Sequence, residues 1–399
     1  MNSLKRGRLV PLHAQGVRGR PEIFRDHGRW SEYFGPKKNL PKKTLASKTF
    51  VAYAVAMPLP GKFSSQSPPK RDKQNPRVIV FSLCLAIVAL AATLSPAFGQ
   101  ELRRILYGTT ASPAHLPVWV AKDAGYFDKY GFNVEPVQIR GGSLIALAII
   151  TGDLPFSGVG AESVIAARAA GGDVVLLACP VDTDPVYLIT RPEIKSAADL
   201  KGQASAVTRY GSTTHFYLRA ALQHVGLNPD KDMTVLQLGA GPEMVAALEV
   251  GRIAAAALTT RYAIPFLQRG WPVLVDLSNT ELVYPSSCVT SSRAFIRAEP
   301  KTTEDFLRAY VAGIRLIKKD QSFAEKSFSK WLREKDPVIV HKSVSAYARI
   351  FKPAPFVPDK GIENVVKDLI RSRPEFKEYL GWPEPFRENG PLKRALQEK

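Results

Sequence analysis

From Arg103 onward, short apolar runs alternate with segments of helical period, and this alternation constrains the fold more than any other feature of the chain. Arg104 to Thr109 reads as a strand, Ala114 to Asp128 as a helix and its exit, Val134 to Ile139 as a strand, and Leu144 to Thr151 as a helix stopped by Gly152. Phe156 to Val159, a helix from Ala161 to Ala170 and Val174 to Cys179 continue the series. A second series places strands at Ala204 to Val207, Val235 to Leu238, Ile253 to Leu258 and Val273 to Val275. Between them lie helices at Ser212 to Val225, Pro242 to Val250 and Tyr262 to Gln268. Gly226 stands where a left-handed cap would end the first of these helices. Such alternation predicts an α/β class with mostly parallel sheets covered on both faces, in two units. After Ser286 come one more strand, Ser287 to Thr290, and then helices. In Thr303 to Lys319, Phe306, Tyr310, Ile314 and Ile317 share a face; further helices are expected at 322–334, 338–351 and 359–372.

The strand-to-helix junctions share a chemistry of Gly, Ser and Thr: Thr109 to Ser112, Arg140 to Ser143, Gly158 to Ser163, Arg209 to Thr214, Gly239 to Glu243 and Thr259 to Arg261. Ligands in open α/β sheets bind at the carboxyl ends of strands, where helix N-termini aim free N–H groups. Ordinary capping explains any one junction, but recurrence across both series favours a shared cleft. His115 reads equally as a cleft residue and as a structural histidine at a helix start. Arg140, Arg209 and Arg261 each follow a strand and can either clamp an anion or stand solvated. Gly158-x-Gly160-x-x-Ser163 imitates a dinucleotide fingerprint but lacks its third glycine. HExxH, GxSxG and GxxxxGK[ST] are all absent. His215 and His224 fall on opposite faces of one helix, so no metal and no cofactor is expected.

The chain has 55 Lys and Arg against 36 Asp and Glu, but the excess is unevenly placed. Residues 1–77 hold 17 basic and 4 acidic side chains, whereas 101–399 hold 38 and 32. The body is not a basic domain, and no nucleic-acid partner is expected. Val78 to Leu94 is a 17-residue apolar run with Lys70, Arg71, Lys73 and Arg77 before it and Ser95-Pro96-Ala97-Phe98-Gly99 after it. That pattern is a secretory signal cleaved between Ala97 and Gln100, or alternatively an uncleaved membrane anchor. Met57 offers a better start for such a signal, which makes 1–56 an over-extended start or a disordered leader and 57–99 the signal. Of 3 cysteines, Cys179 and Cys288 lie in strands of one sheet. An oxidising compartment would allow them to pair, although buried free thiols are the commoner outcome and the expectation here.

The run His115 to Val134, with Gly141-Gly142-Ser143, Ala148 to Asp153, Ala169 to Val174, Ile194 to Gly202 and Ala246 to Ala256, resembles the nitrate/sulfonate/taurine-type solute-binding proteins of ABC transporters. Ala254 departs from the family's Gly-x-Ile-Asp-Ala pattern. The resemblance implies a type II periplasmic-binding fold. Lobe one would comprise 101–184 plus 285–370, lobe two 185–284, and 371–399 a C-terminal tail, with crossings at Pro185 to Arg191 and about Val283 to Thr290. It further implies an exported, monomeric binding protein for a small anionic or polar organic solute, which it delivers to a membrane permease. The cleft-lining set it implies is Ser112, His115, Gly142, Ser143, Gly160 and Glu162 from one lobe and Ser212, Thr213, Gly241 and Thr259 from the other. Arg140, Arg209 or Arg261 would neutralise an acid, and Tyr210 or Tyr187 would stack on a flat ligand. Two rivals stand beside it: an enzyme resembling thiamine-pyrimidine precursor synthases, and a sensory binding protein without a transporter.

Overall fold

Two five-stranded sheets organise residues 101–397, the residues that the computed structural model describes. The leader, signal and anchor readings fall on residues before these and lie outside the described residues. The first sheet has the order β2-β1-β3-β10-β4, formed by Arg103–Thr109 (β1), Phe132–Gln138 (β2), Phe156–Val159 (β3), Val175–Ala178 (β4) and Cys288–Ser291 (β10). The second has the order β7-β6-β8-β5-β9, formed by Val186–Thr190 (β5), Ala204–Val207 (β6), Thr234–Gln237 (β7), Ala255–Thr259 (β8) and Val273–Asp276 (β9). In each sheet four strands run one way and one is inserted antiparallel: β10 against β3 and β4, β5 against β8 and β9. The inserted strand is in each case the first to arrive from the other sheet. Apolar period marks a strand but says nothing of its direction.

Alternation sets the layers. Ile105 and Tyr107 face a core shared with Trp119, Phe306, Tyr310 and Ile314, while Leu106 packs against the opposite core, with Ile145, Val164 and Val365. Phe306 is held between Phe156, at a ring-centroid distance of 4.2 Å, and Tyr107, at 5.7 Å. In the second sheet Leu188 and Ala257 face one side and Ile189, Ala256 and Leu258 the other. Gly226 has φ 79°, ending Thr213–His224 as its position predicts.

Three expectations are corrected. Val186–Thr190 lies wholly in the second sheet, so the first crossing precedes Pro185 rather than spanning Pro185 to Arg191. Cys179 and Cys288 are buried but not free: they form a disulfide, because β4 and β10 are antiparallel neighbours and bring the two Cα atoms to 4.1 Å. The segment 371–397 is no loose tail. Phe376, Phe386 and Leu392 are buried, Arg387 bridges to Leu176 of β4, and Gly390–Gln397 forms a helix on the first sheet's core. Its apolar residues bury surface that would otherwise face water.

Candidate functional site

Parallel strands bring their carboxyl ends to one sheet edge, and the two sheets turn these edges toward each other. Between them lies a cleft of about 890 Å³ including its open mouth. From the first sheet it is lined by Thr110 to Ser112, Gln138 to Gly142 and Gly158 to Gly160. From the second it is lined by Thr208, Ser212 to Thr214, Gly239 to Gly241 and Ala257 to Thr259. The N-terminal ends of the helices Gly142–Ile150, Thr213–His224 and Gly241–Glu249 therefore open on it, each offering unpaired backbone N–H groups. Glycine is needed where the walls come closest. A Cβ on Gly160 would collide with Thr213 Oγ1 and the Tyr284 hydroxyl, and one on Gly241 would strike the Tyr262 ring.

Of the residues the sequence singled out, Ser112, Arg140, Gly142 and Gly160 line the cleft from one side and Ser212, Thr213, Gly241 and Thr259 from the other. The rest lie elsewhere. Ser143, one residue into its helix, is not among the lining residues. Tyr210 is 49% exposed; its hydroxyl donates to Val235 O and its ring meets the edge of His215. Tyr187 is likewise outside the lining. His115 is buried behind the wall, with Nε2 accepting from the Thr110 N–H at 3.1 Å, and burial lowers its pKa to about 3. Glu162 is buried beside His215 Nδ1, at 3.1 Å; burial raises its pKa and the histidine counters part of that.

The three arginines do not converge on the cleft as an anion clamp. Each instead joins the two halves of the molecule. Arg140 pairs with Glu243 at 2.6 Å, Arg209 Nε donates to Arg140 O at 3.1 Å, and Arg261 reaches Glu334 at 3.2 Å and Leu332 O at 3.0 Å. Ser163 Oγ donates to Gly211 O at 2.6 Å, adding to the same set. The conformation is thus one in which the halves touch across the cleft.

Sequence reasoning missed the cleft floor, which is built from the two segments that cross between the sheets. Asp184, 1% exposed, lines it together with Tyr217, Ser286 and Ser287. Asp184 Oδ2 accepts from the Tyr217 hydroxyl at 3.1 Å and from Ser286 Oγ, while Oδ1 is buried without a partner. Burial raises its pKa, against the pull of these hydroxyls. Ser287 has φ 50°, a left-handed conformation that costs energy in a non-glycine residue and recurs at functional sites. A lone acid in a loop gives no periodic signal. Its position between two strands of opposite lobes was the one available clue. Among the described residues, no three His, Cys, Asp or Glu side chains gather as metal ligands.

The chain is 29% identical over 175 residues to a taurine-binding periplasmic protein of Escherichia coli, a match covering 43% of this chain and 52% of that protein. It is 26% identical over 241 residues to a putative aliphatic sulfonates-binding protein of Bacillus subtilis, covering 58% and 71%. The chain therefore spans about half the length of the taurine-binding relative. Its fold is that of the alkanesulfonate-binding protein SsuA of Xanthomonas axonopodis (TM-score 0.56, 19% identity, 74% of this chain and 98% of that one). The same fold serves the desulfurization enzyme DSZB (TM-score 0.53, 15% identity, 74% and 99%). Residues 112–324 match the family model described as NMT1/THI5 like, which is more than half of the sequence, and the chain belongs to the NMT1/THI5-like family.

Proposed function

We propose that this chain is the extracytoplasmic solute-binding component of an ABC importer, taking a small polar organic anion such as a sulfonate between two lobes and presenting it to a membrane permease. The observation that carries the reading is the cleft itself: glycines and hydroxyls at strand ends of both sheets, three helix N-termini opening on it, and ion pairs crossing it. Such a site binds by hydrogen bonds from both walls, which form together only when the walls close. The lobes are taken as the two sheets with their helices, 101 to about 184 plus about 285 to 397, and about 185 to 284. The protein works as a monomer, in an oxidising, exported location that suits a buried disulfide. No helix among the described residues is long and apolar enough to cross a membrane.

Thermal melting of protein produced from the whole sequence tests this, against nitrate, alkyl and aryl sulfonates, taurine, pyrimidines and small carboxylates. A solute that binds only the folded state at a hundredfold excess over its Kd adds about 2.7 kcal/mol. A saturable rise for one chemical class is expected, with Thr213→Val or Ser112→Ala weakening it by about tenfold for each lost hydrogen bond. A flat panel on a folded protein overturns the reading. Turnover of any of these solutes would move it toward an enzyme.

A further inference from the structure

Beside the cleft, the helix Thr213–His224 of the second sheet lies against the first half of the molecule, where its Phe216 and Leu218 share a core with Val164 of Ala161–Ala169. Two titratable residues meet at this junction, and neither lines the cleft: Glu162 and His215, each in the first turn of its helix. Glu162 Oε1 lies 3.1 Å from His215 Nδ1. Glu162 is 2% exposed, and its Oε2 is buried without a donor. Nδ1 also accepts from the Gly211 N–H at 3.3 Å.

An oxygen and a ring nitrogen so close need a hydrogen between them. A hydrogen on Nδ1 would point into the Gly211 N–H, so the carboxyl carries it and Glu162 donates as a neutral acid. Burial favours that form, because an ionised carboxyl with a bare Oε2 would leave water without a counter-charge. The neighbouring charges do not reverse this. Arg219 and Asp368 act on Glu162 with opposite signs and pair with each other at 3.0 Å, and Arg219 also meets Asp230. Burial holds the Tyr284 phenol well above its usual range, so it stays neutral. Tyr210 meets the imidazole with its ring edge and gives its hydroxyl proton to Val235 O. The helix Gly142–Ile150 on the other flank has no titratable residue, and Arg168, in the last turn of the Glu162 helix, pairs with Asp173 at 3.8 Å.

We propose that closure of the two lobes takes up one proton, held between Glu162 and His215, so that the closed form is favoured in mildly acidic medium and weakened in alkaline medium. Parting the lobes lifts residues 211–215 off Glu162 and returns both groups to water. There a carboxyl is ionised at neutral pH, and a solvated imidazole keeps its second proton only below about pH 6.5. Below that value the pair holds the same number of protons in both forms, and closure is indifferent to pH. Above it the open pair has released a proton that the closed pair keeps, so each further pH unit moves the balance toward the open form by up to about tenfold. This inference names what regulates the solute-binding cleft and rests on that reading for lobes that part.

Small-angle X-ray scattering of the ligand-free protein at pH 6 and pH 9 tests it without any solute, so that the melting panel judges solute binding separately. The wild type's radius of gyration is expected to rise between these pH values. Glu162→Gln has the shape of the neutral acid and an N–H for His215 Nδ1, and is expected to keep the compact radius at both. Glu162→Ala is expected to show one radius at both pH values, since the group that takes up the proton is gone. Circular dichroism at each pH shows whether each variant is folded, and the folded one decides where the other is not. A wild-type radius that does not change with pH, or a rise that persists undiminished in a folded variant, overturns the proposal.

Discussion

His115 shows how a residue at the edge of a site contributes through the fold. Its Nε2 accepts from the Thr110 N–H and lies 3.0 Å from the Thr110 hydroxyl, so the ring's one proton sits on Nδ1, and protonating Nε2 would break the contacts that hold the first junction. Burial puts its folded pKa near 3, against about 6.5 in an unfolded chain. Between these values the unfolded chain binds the extra proton and the folded one does not. The stability His115 contributes is therefore complete above about pH 6.5, declines as pH falls and levels off near 3, with a slope of about 1.4 kcal/mol per pH unit at its steepest. Urea unfolding of the wild type and of His115→Gln at pH 7 and pH 5 checks this. The wild type's advantage is expected to shrink by about 1–2 kcal/mol over that interval; an advantage of the same size at both pH values refutes it.

At the level of elements, the arginine after each strand acts between lobes. Arg140 follows β2 and Glu243 opens the helix Gly241–Glu249, so their ion pair closes the mouth of the cleft from opposite sheets. Because both side chains are substantially exposed, the pair is worth about 0–1 kcal/mol. That is enough to shift an open–closed balance by about fivefold. Glu243→Gln is expected to raise the radius of gyration of the ligand-free protein in small-angle X-ray scattering and to weaken solute binding by a few fold, with the melting midpoint little changed. An unchanged radius and affinity would show that the pair does not hold the lobes together. The elements themselves were largely legible. Phe156–Val159 and Ala204–Val207 coincide with their sequence-derived limits, because apolar runs end there at Gly and at polar junctions. The partners of Arg140 and Arg261 were not legible, since Glu243 and Glu334 lie in other units and nothing local marks them. Nor was the inserted strand in each sheet. A strand arriving from the other lobe has the same period as its neighbours, and only its pairing reveals its direction.

The whole molecule is held together where two segments pass between the sheets side by side. Tyr284 N donates to Asp182 O at 2.5 Å, Val181 bridges Ser286, Thr183 Oγ1 donates to Leu282 O, and the Cys179–Cys288 disulfide fastens the pair at the first sheet. The bond closes a loop of 109 residues that contains the entire second sheet. In the unfolded chain such a loop loses conformational freedom, so the cross-link stabilises the fold by about 2–5 kcal/mol. Neither cysteine lines the cleft, so the effect belongs to the frame rather than to the site. The variant carrying both Cys179→Ser and Cys288→Ser, like the wild type in strong reductant, is expected to unfold at lower denaturant by that amount. Its solute affinity, measured well below its melting midpoint, is expected to stay within about twofold of the wild type, because neither sulfur lines the cleft and the strand pairing of Cys288 with Val159 holds the neighbouring wall without it. Equal stability of the two proteins would mean that the packed crossing segments alone constrain the frame. A lost affinity with the fold intact would mean that the bond also sets the angle at which the two cleft walls meet.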